Sequence, residues 1–120
     1  MQSNLSITPY KPTFGIKTSN SVINVAKGHC LNRRKPNFKR FNEVLEKINV
    51  MERTFGFDNY TIACTKSIGN RGKSYYKLYA YKNDGESINK NITLIRTKTL
   101  QQAISQFLNL TKYDLLLKLK

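Results

Sequence analysis

Six basic side chains, Lys27, Arg33, Arg34, Lys35, Lys39 and Arg40, crowd into positions 27–40. Guanidinium and ammonium groups at that density suit a phosphate backbone, where the counterions they displace supply affinity. No acid interrupts them. Residues 1–42 hold eight Lys and Arg and neither Asp nor Glu, whereas residues 43–120 hold the other 13 basic groups and all 7 acids. The whole chain carries +14, a charge that repels itself in a compact state and favours anionic partners. Lys, Asn and Ile are abundant together, as an AT-rich coding sequence also makes them, so the total says less than the asymmetry does. The alternatives for the cluster are nucleic acid, an acidic protein surface, and a solvated charge run with no specific partner.

Further along, Arg71 and Lys73 sit in a Gly-rich loop, Gly69-Asn70-Arg71-Gly72-Lys73, and Lys98 precedes an apolar run. Between them Tyr75, Lys77, Tyr79 and Tyr81 alternate along one face of a strand-like stretch. Aromatic rings alternating with a cation can stack bases, as single-strand binders do. The competing explanations, and the stronger ones from sequence, are that Tyr simply suits a half-buried sheet or that the arm or a C-terminal strand covers this face. On this basis the candidate contacts to nucleic acid are Lys27, Arg33, Arg34, Lys35, Lys39, Arg40, Arg71, Lys73, Lys77, Tyr79, Tyr81 and Lys98.

Other chemistry has little to work with. One His and two Cys give three soft ligands at most, short of a structural zinc site, so His29-Cys30 is not expected to hold a metal, and no cofactor is expected. Cys64 lies on the apolar face of its strand and reads as core. The Gly69–Lys73 loop lacks the spacing of a phosphate-binding P-loop. The single His leaves few acid–base pairs, so no enzyme is expected, with a small basic ribonuclease as the exception to test. Two cysteines without an apolar leader suggest reduced thiols in the cytoplasm. The acid-free, Ser- and Thr-rich start also has features of an organelle transit segment, although Pro9 and Pro12 break any helix there. No apolar run approaches a membrane span.

Several elements are needed to position these groups. Residues 1–36 read as a basic, extended or disordered arm, with short β-like pieces at Phe14–Ile16 and Val22–Val25. From Asn37, an N-cap, a helix carries Phe38, Phe41, Leu45, Ile48, Met51 and Phe55 at three- and four-residue steps, with Gly56 as its C-terminal cap. Lys39–Glu43 and Glu43–Lys47 are spaced as ion pairs on its outer face. Strands follow at Tyr60–Thr65, Tyr75–Lys82 and Asn91–Thr97, the second and third joined through the turn Asn83-Asp84-Gly85. A second helix opens at Thr99 with the capping pattern Thr99-Leu100-Gln101-Gln102 and buries Leu100, Ala103, Ile104, Phe107 and Leu108. Residues 113–120 alternate as a short strand, with a helix as the alternative that the Leu run allows.

The expected fold is therefore α+β: a basic extended arm over 1–36, then a compact domain over 37–120. That domain has the order α-β-β-β-α, with a three-stranded antiparallel sheet carrying both helices on one face. This order resembles the double-stranded RNA-binding domain over about residues 37–110. The resemblance implies RNA contact through the helix at 38–53, through Arg71 and Lys73 in the first hairpin loop, and through Lys98 ahead of the second helix. That family's Gly-Pro-x-His loop is replaced by Gly-Asn-Arg-Gly-Lys, and its Lys-Lys-x-Ala run by Thr97-Lys98-Thr99-Leu100. The expected function is non-enzymatic binding of nucleic acid, RNA ahead of DNA. The alternative is a protein-interaction module, either an inhibitor of a nucleic-acid enzyme or a small subunit of an assembly such as a ribosome, whose basic arm docks on an acidic surface.

Overall fold

A computed structural model of the chain describes residues 15–69, 71–83 and 91–119. In chain order these form β1 (Lys17–Thr18), α1 (Asn20–Cys30), α2 (Phe38–Thr54), β2 (Tyr60–Ile68), β3 (Ser74–Lys82), β4 (Ile92–Thr97), α3 (Leu100–Leu108) and α4 (Lys112–Leu119). The fold is α+β, with one mixed four-stranded sheet in the order β1-β2-β3-β4 and four helices among the described residues. β1 runs parallel to β2; the other pairs are antiparallel.

The elements with strong local signals form where expected. The Asn37 side chain accepts the Arg40 amide at 2.9 Å and starts α2, and Gly56 ends it at φ +74°, a conformation that costs a glycine little. Thr99 accepts the Gln102 amide at 3.2 Å and starts α3, which buries Ala103, Ile104 and Phe107. β2 and β3 pair from Tyr60–Lys82 to Ile68–Ser74. That register puts Ile62, Cys64, Leu78 and Ala80 into the core, joined by Ile95 of β4. A bulge between Leu78 and Tyr79 inserts Leu94, so Tyr79 faces Thr93 while Leu78 faces Ile95.

Several expectations are corrected. Residues 15–30 are not an extended arm: Ile16 is 0% exposed, and α1 buries Val22, Ala26 and Cys30, spaced by four, in the same core as α2. Val22–Val25 is therefore helix and not strand, and a boundary at residue 36 would cut through that core. β-branched residues and Gly28 lower the intrinsic helix propensity here, but burial of one face outweighs it. Ser19 caps α1 by accepting the Ser21 amide at 3.2 Å, and the Ser21 hydroxyl accepts the Cys64 amide at 3.0 Å, satisfying β2 where β1 has ended. The expectations for residues 1–14 and for the turn at Asp84-Gly85 lie outside the described residues.

The chain's last described element is also a helix, not a strand. Thr111 and Asp114 form a reciprocal cap: the Thr111 amide donates to the Asp114 carboxylate at 2.9 Å and the Asp114 amide to the Thr111 hydroxyl at 3.2 Å. The Thr111 amide and the Thr111 hydroxyl, which also donates to the carboxylate at 2.9 Å, hold the Asp114 carboxyl below the usual carboxylate range. Leu115 and Leu119, four apart, then reach the core. On α2 the buried stripe is turned from the one expected: Val44, Ile48, Met51 and Phe55 are buried, while Phe38 is 63% exposed and Leu45 is exposed. Glu43 pairs with Arg40 at 3.4 Å instead of with Lys39 or Lys47. Lys47 reaches across to the Leu110 carbonyl and lies over the Phe55 ring.

Two glycines test the placement of residues 15–30. A Cβ on Gly15 would fall 2.1 Å from the Met51 carbonyl oxygen and 2.8 Å from that of Glu52. Gly15→Ala should therefore cost about 1–3 kcal/mol or more. A Cβ on Gly28 would meet nothing within 4 Å, so Gly28→Ala inside α1 should add about 0.5–1 kcal/mol. Chemical denaturation of both variants reads the two signs; wild-type stability in both would mean that this segment does not pack as described.

Candidate nucleic-acid interface

The C-terminal end of α1, the loop to α2 and the first turn of α2 face the far ends of β2 and β3 and the first turn of α3. Between them runs a broad open groove of roughly 1160 Å3, with Arg33, Lys39, Arg40, Lys66, His29 and Tyr76 among its lining residues. β2 and β3 deliver Lys66 and Tyr76 as a cross-strand pair, with the Lys66 ammonium 5.9 Å from the Tyr76 ring centre. Among the described residues Glu43 is the one acid lining the groove. Glu46, Glu52, Asp58 and Asp114 do not line it, and Asp84 and Glu86 lie outside the described residues.

Arg40 has a structural role as well as a charge. One guanidinium nitrogen donates to the Ser105 hydroxyl at 2.7 Å, which ties α2 to α3, and the other meets Glu43. Neither α2 nor α3 has an acid in its first turn, and α2 places Lys39 and Arg40 there. Cations at a helix N-terminus oppose its dipole by roughly 0.3–1 kcal/mol each. The positive field acts on His29, whose pKa lies below its usual value, first through burial and then through Arg33 and Arg40. Burial pushes the Cys30 thiol up, against the pull of Arg40 and Arg33.

A second hollow, of roughly 670 Å3, opens at the same end of the sheet and is lined by Gly69, Lys73, Tyr75, Arg96 and Lys98. The Gly69 amide donates to the Lys73 carbonyl at 2.8 Å, which closes the hairpin loop and holds Lys73 at its rim. Thr97 faces Tyr76 across β3 and β4, so one pair of strand ends separates the hollow from the groove.

The expected contact residues thus fall into groups. Arg33, Lys39 and Arg40 share the groove. Lys73 and Lys98 share the hollow, with Arg71 exposed in the adjoining loop. Arg34 and Lys35 are exposed in the α1–α2 loop without lining the groove, and Lys27 borders a shallow recess on the outer side of α1. Lys77, Tyr79 and Tyr81 stand on the sheet face away from the helices. Lys66 and Arg96 were missed: each is a lone cation in a strand, and only the pairing register shows what it faces. Among the described residues no three His, Cys, Asp or Glu side chains gather as metal ligands, and no helix is long and apolar enough to cross a membrane. Cys30 and Cys64 are free and buried.

His29 is the only histidine of the chain, so its ring protons are resolved without overlap and report burial and charge at the groove together. An NMR titration should give it a pKa below the ordinary value of about 6.5. Arg33→Gln should raise that pKa without restoring it fully, because burial is the larger cause. The unfolded chain takes up this proton near pH 6.5 and the folded chain only at lower pH. The His29 contribution to stability is therefore complete above about pH 6.5 and is lost as pH falls through the folded value. A pKa at or above 6.5 would contradict the geometry given for the groove.

Comparison of the chain with known protein families, with curated proteins and with solved structures finds no match, so its function has to be argued from these residues themselves.

Proposed function

We propose that this protein binds nucleic acid, RNA in the first instance, without cleaving it. The observation that carries the proposal is the convergence of Arg33, Lys39, Arg40 and Lys66 on one groove, with Lys73, Arg96 and Lys98 on the hollow beside it, against a single lining acid among the described residues. Phosphates are the ligand chemistry that such a set neutralises, and backbone contacts of this kind give affinity without reading sequence. Exposed Arg34, Lys35 and Arg71 extend the positive field around it. RNA is favoured over DNA by the order α2-β2-β3-β4-α3, which resembles the double-stranded RNA-binding domain. The first helix, first hairpin loop and second-helix start that such domains use correspond here to α2, Arg71 with Lys73, and Lys98.

Binding of labelled RNA, followed by anisotropy, should weaken steeply as salt rises. The slope of log affinity against log salt should fall by about 0.7–0.9 for each phosphate no longer neutralised. Arg33→Glu with Lys39→Glu should lower affinity and flatten that slope by about 2, and the RNA should be recovered intact. Affinity indifferent to salt, or unchanged in the double variant, would count against phosphate recognition.

A protein partner is the second function class, favoured by one feature: Tyr113, Leu116 and Leu117 of α4 are exposed together. Native purification with and without nuclease separates the two. Loss of bound macromolecules after nuclease supports nucleic acid, and a stoichiometric protein that survives it supports the second class.

A further inference from the structure

The sheet has a second face, turned away from the helices. Its centre is the β3 row Tyr75, Lys77, Tyr79 and Tyr81. Across β2 these face Ser67, Thr65, Ala63 and Thr61, and across β4 Arg96 faces Lys77 and Thr93 faces Tyr79. β1 adds Lys17, paired with Thr61 and exposed. The face is thus a ridge of large rings beside a strip of small residues, with cations at both margins. Tyr76, on the opposite face, packs against the core; Tyr75, Lys77, Tyr79 and Tyr81 lie outside that packing and are half-buried, and Ala63 and Thr61 of the strip are buried beside them.

Like charges meet on this face. Lys77 and Arg96 stand directly opposite each other, an arrangement of like charges that costs stability. No acid from the described parts of the four strands shares the face to offset it. Each cation instead lies over a ring: the Arg96 guanidinium 3.9 Å from the Tyr75 centroid and the Lys77 ammonium 5.5 Å from that of Tyr79. The Tyr79 and Tyr81 rings are 6.2 Å apart and tilted by 37°, so they do not stack on one another. Tyr75 and Arg96 also line the cationic hollow at the hairpin end, which makes the face continuous with it.

We propose that this face holds an unpaired stretch of nucleic acid, with bases stacked on Tyr79 and Tyr81 and phosphates met by Lys77, Arg96 and Lys17. The inference rests on the phosphate-binding function proposed above but departs from the duplex ligand that the resemblance implies: for this face it names single strands, not duplex. A duplex keeps its bases stacked inside and offers no base plane to a tyrosine, whereas every unpaired base has one. An acidic protein surface would satisfy the cations but gives no role to a ring ridge beside a strip of Thr, Ala and Ser. A strand leaving this face passes Tyr75 and Arg96 into the hollow of Lys73 and Lys98.

The test uses the full chain, with labelled U-rich and A-rich RNA, the same sequences as DNA, the matching duplexes, and polyglutamate as an acidic-protein mimic. Single strands should bind more tightly than duplexes. Tyr79→Leu with Tyr81→Leu should weaken single-strand binding on the order of tenfold or more, with duplex binding unchanged, and Tyr79→Phe with Tyr81→Phe should retain it. The RNA and DNA arms separate a contribution of the 2′-hydroxyl from stacking and phosphate contact common to both. The chain has no Trp, so quenching of wild-type tyrosine emission by single strands but not by duplexes decides the matter even if the Leu variant fails to fold. Equal single-strand and duplex affinity, indifferent to the tyrosine variants yet weakened by Arg33→Glu with Lys39→Glu, overturns this inference and leaves phosphate binding standing. Polyglutamate binding as tightly as RNA overturns it in favour of a protein partner, and no binding of any nucleic acid at low salt removes both.

Discussion

At Gly15 the chain backs onto the C-terminal turn of α2, so closely that even a methyl group would strike the Met51 and Glu52 carbonyls. From that contact Ile16 drops into the core, β1 adds two residues alongside β2, and Ser19 turns the chain into α1. The Ser21 hydroxyl then takes up the Cys64 amide that β1 no longer reaches. These steps fix the line of α1, and hence where its C-terminal end and the cationic loop beyond it emerge. Had residues 15–30 been free, the charges between positions 27 and 40 would have no defined neighbours. Docked as they are, Arg33 meets Lys39 and Arg40 on α2, and all three face Lys66 and the start of α3.

The same constraint concentrates positive charge at one end of the molecule. A protein with +14 net charge must tolerate self-repulsion somewhere, and here it gathers where α1 ends, α2 and α3 begin, and the β2–β3 hairpin turns. Among the described residues only Glu43 answers it in the groove, and Arg40 occupies that carboxylate while bracing Ser105. The acid-free first turns of α2 and α3 register the same unbalanced field, and Arg33 and Arg40 add to the burial that lowers the pKa of His29. An anion settling in the groove would offset the charge that these groups share, which is the chemistry the proposed phosphate contact supplies.

What the sequence made legible was what is decided locally. Asn37, Gly56 and Thr99 act through their immediate neighbours, so the bounds of α2 and the start of α3 follow from residue types, and the alternation of Tyr60–Cys64 and Tyr76–Ala80 assigns the two sheet faces. Elements decided by distant partners were not legible. Val22-Ile23-Asn24-Val25 has β-branched residues and Gly28 follows it, yet burial of Val22, Ala26 and Cys30 makes a helix. The C-terminal helix is different: Leu117-Lys118-Leu119-Lys120 alternates like a strand, and the local Thr111–Asp114 cap that starts the helix was overlooked. The dense cluster at 27–40 was visible from charge alone. Its union with Lys66, and the meeting of Lys73 and Lys98 with Arg96, depends on strand register and on the docking of α1.

The central claim is that nucleic-acid phosphates bind where α1, α2, α3 and the β2–β3 hairpin meet. It is tested most directly by mapping amide chemical shifts on the labelled full chain as a short RNA is added at low salt. The largest changes should fall in residues 28–40, at Lys66, and across 71–76 and 96–101, with the His29 ring protons moving as its pKa rises. Changes confined to α4, or none at all under conditions where the RNA is present in excess, would contradict the account.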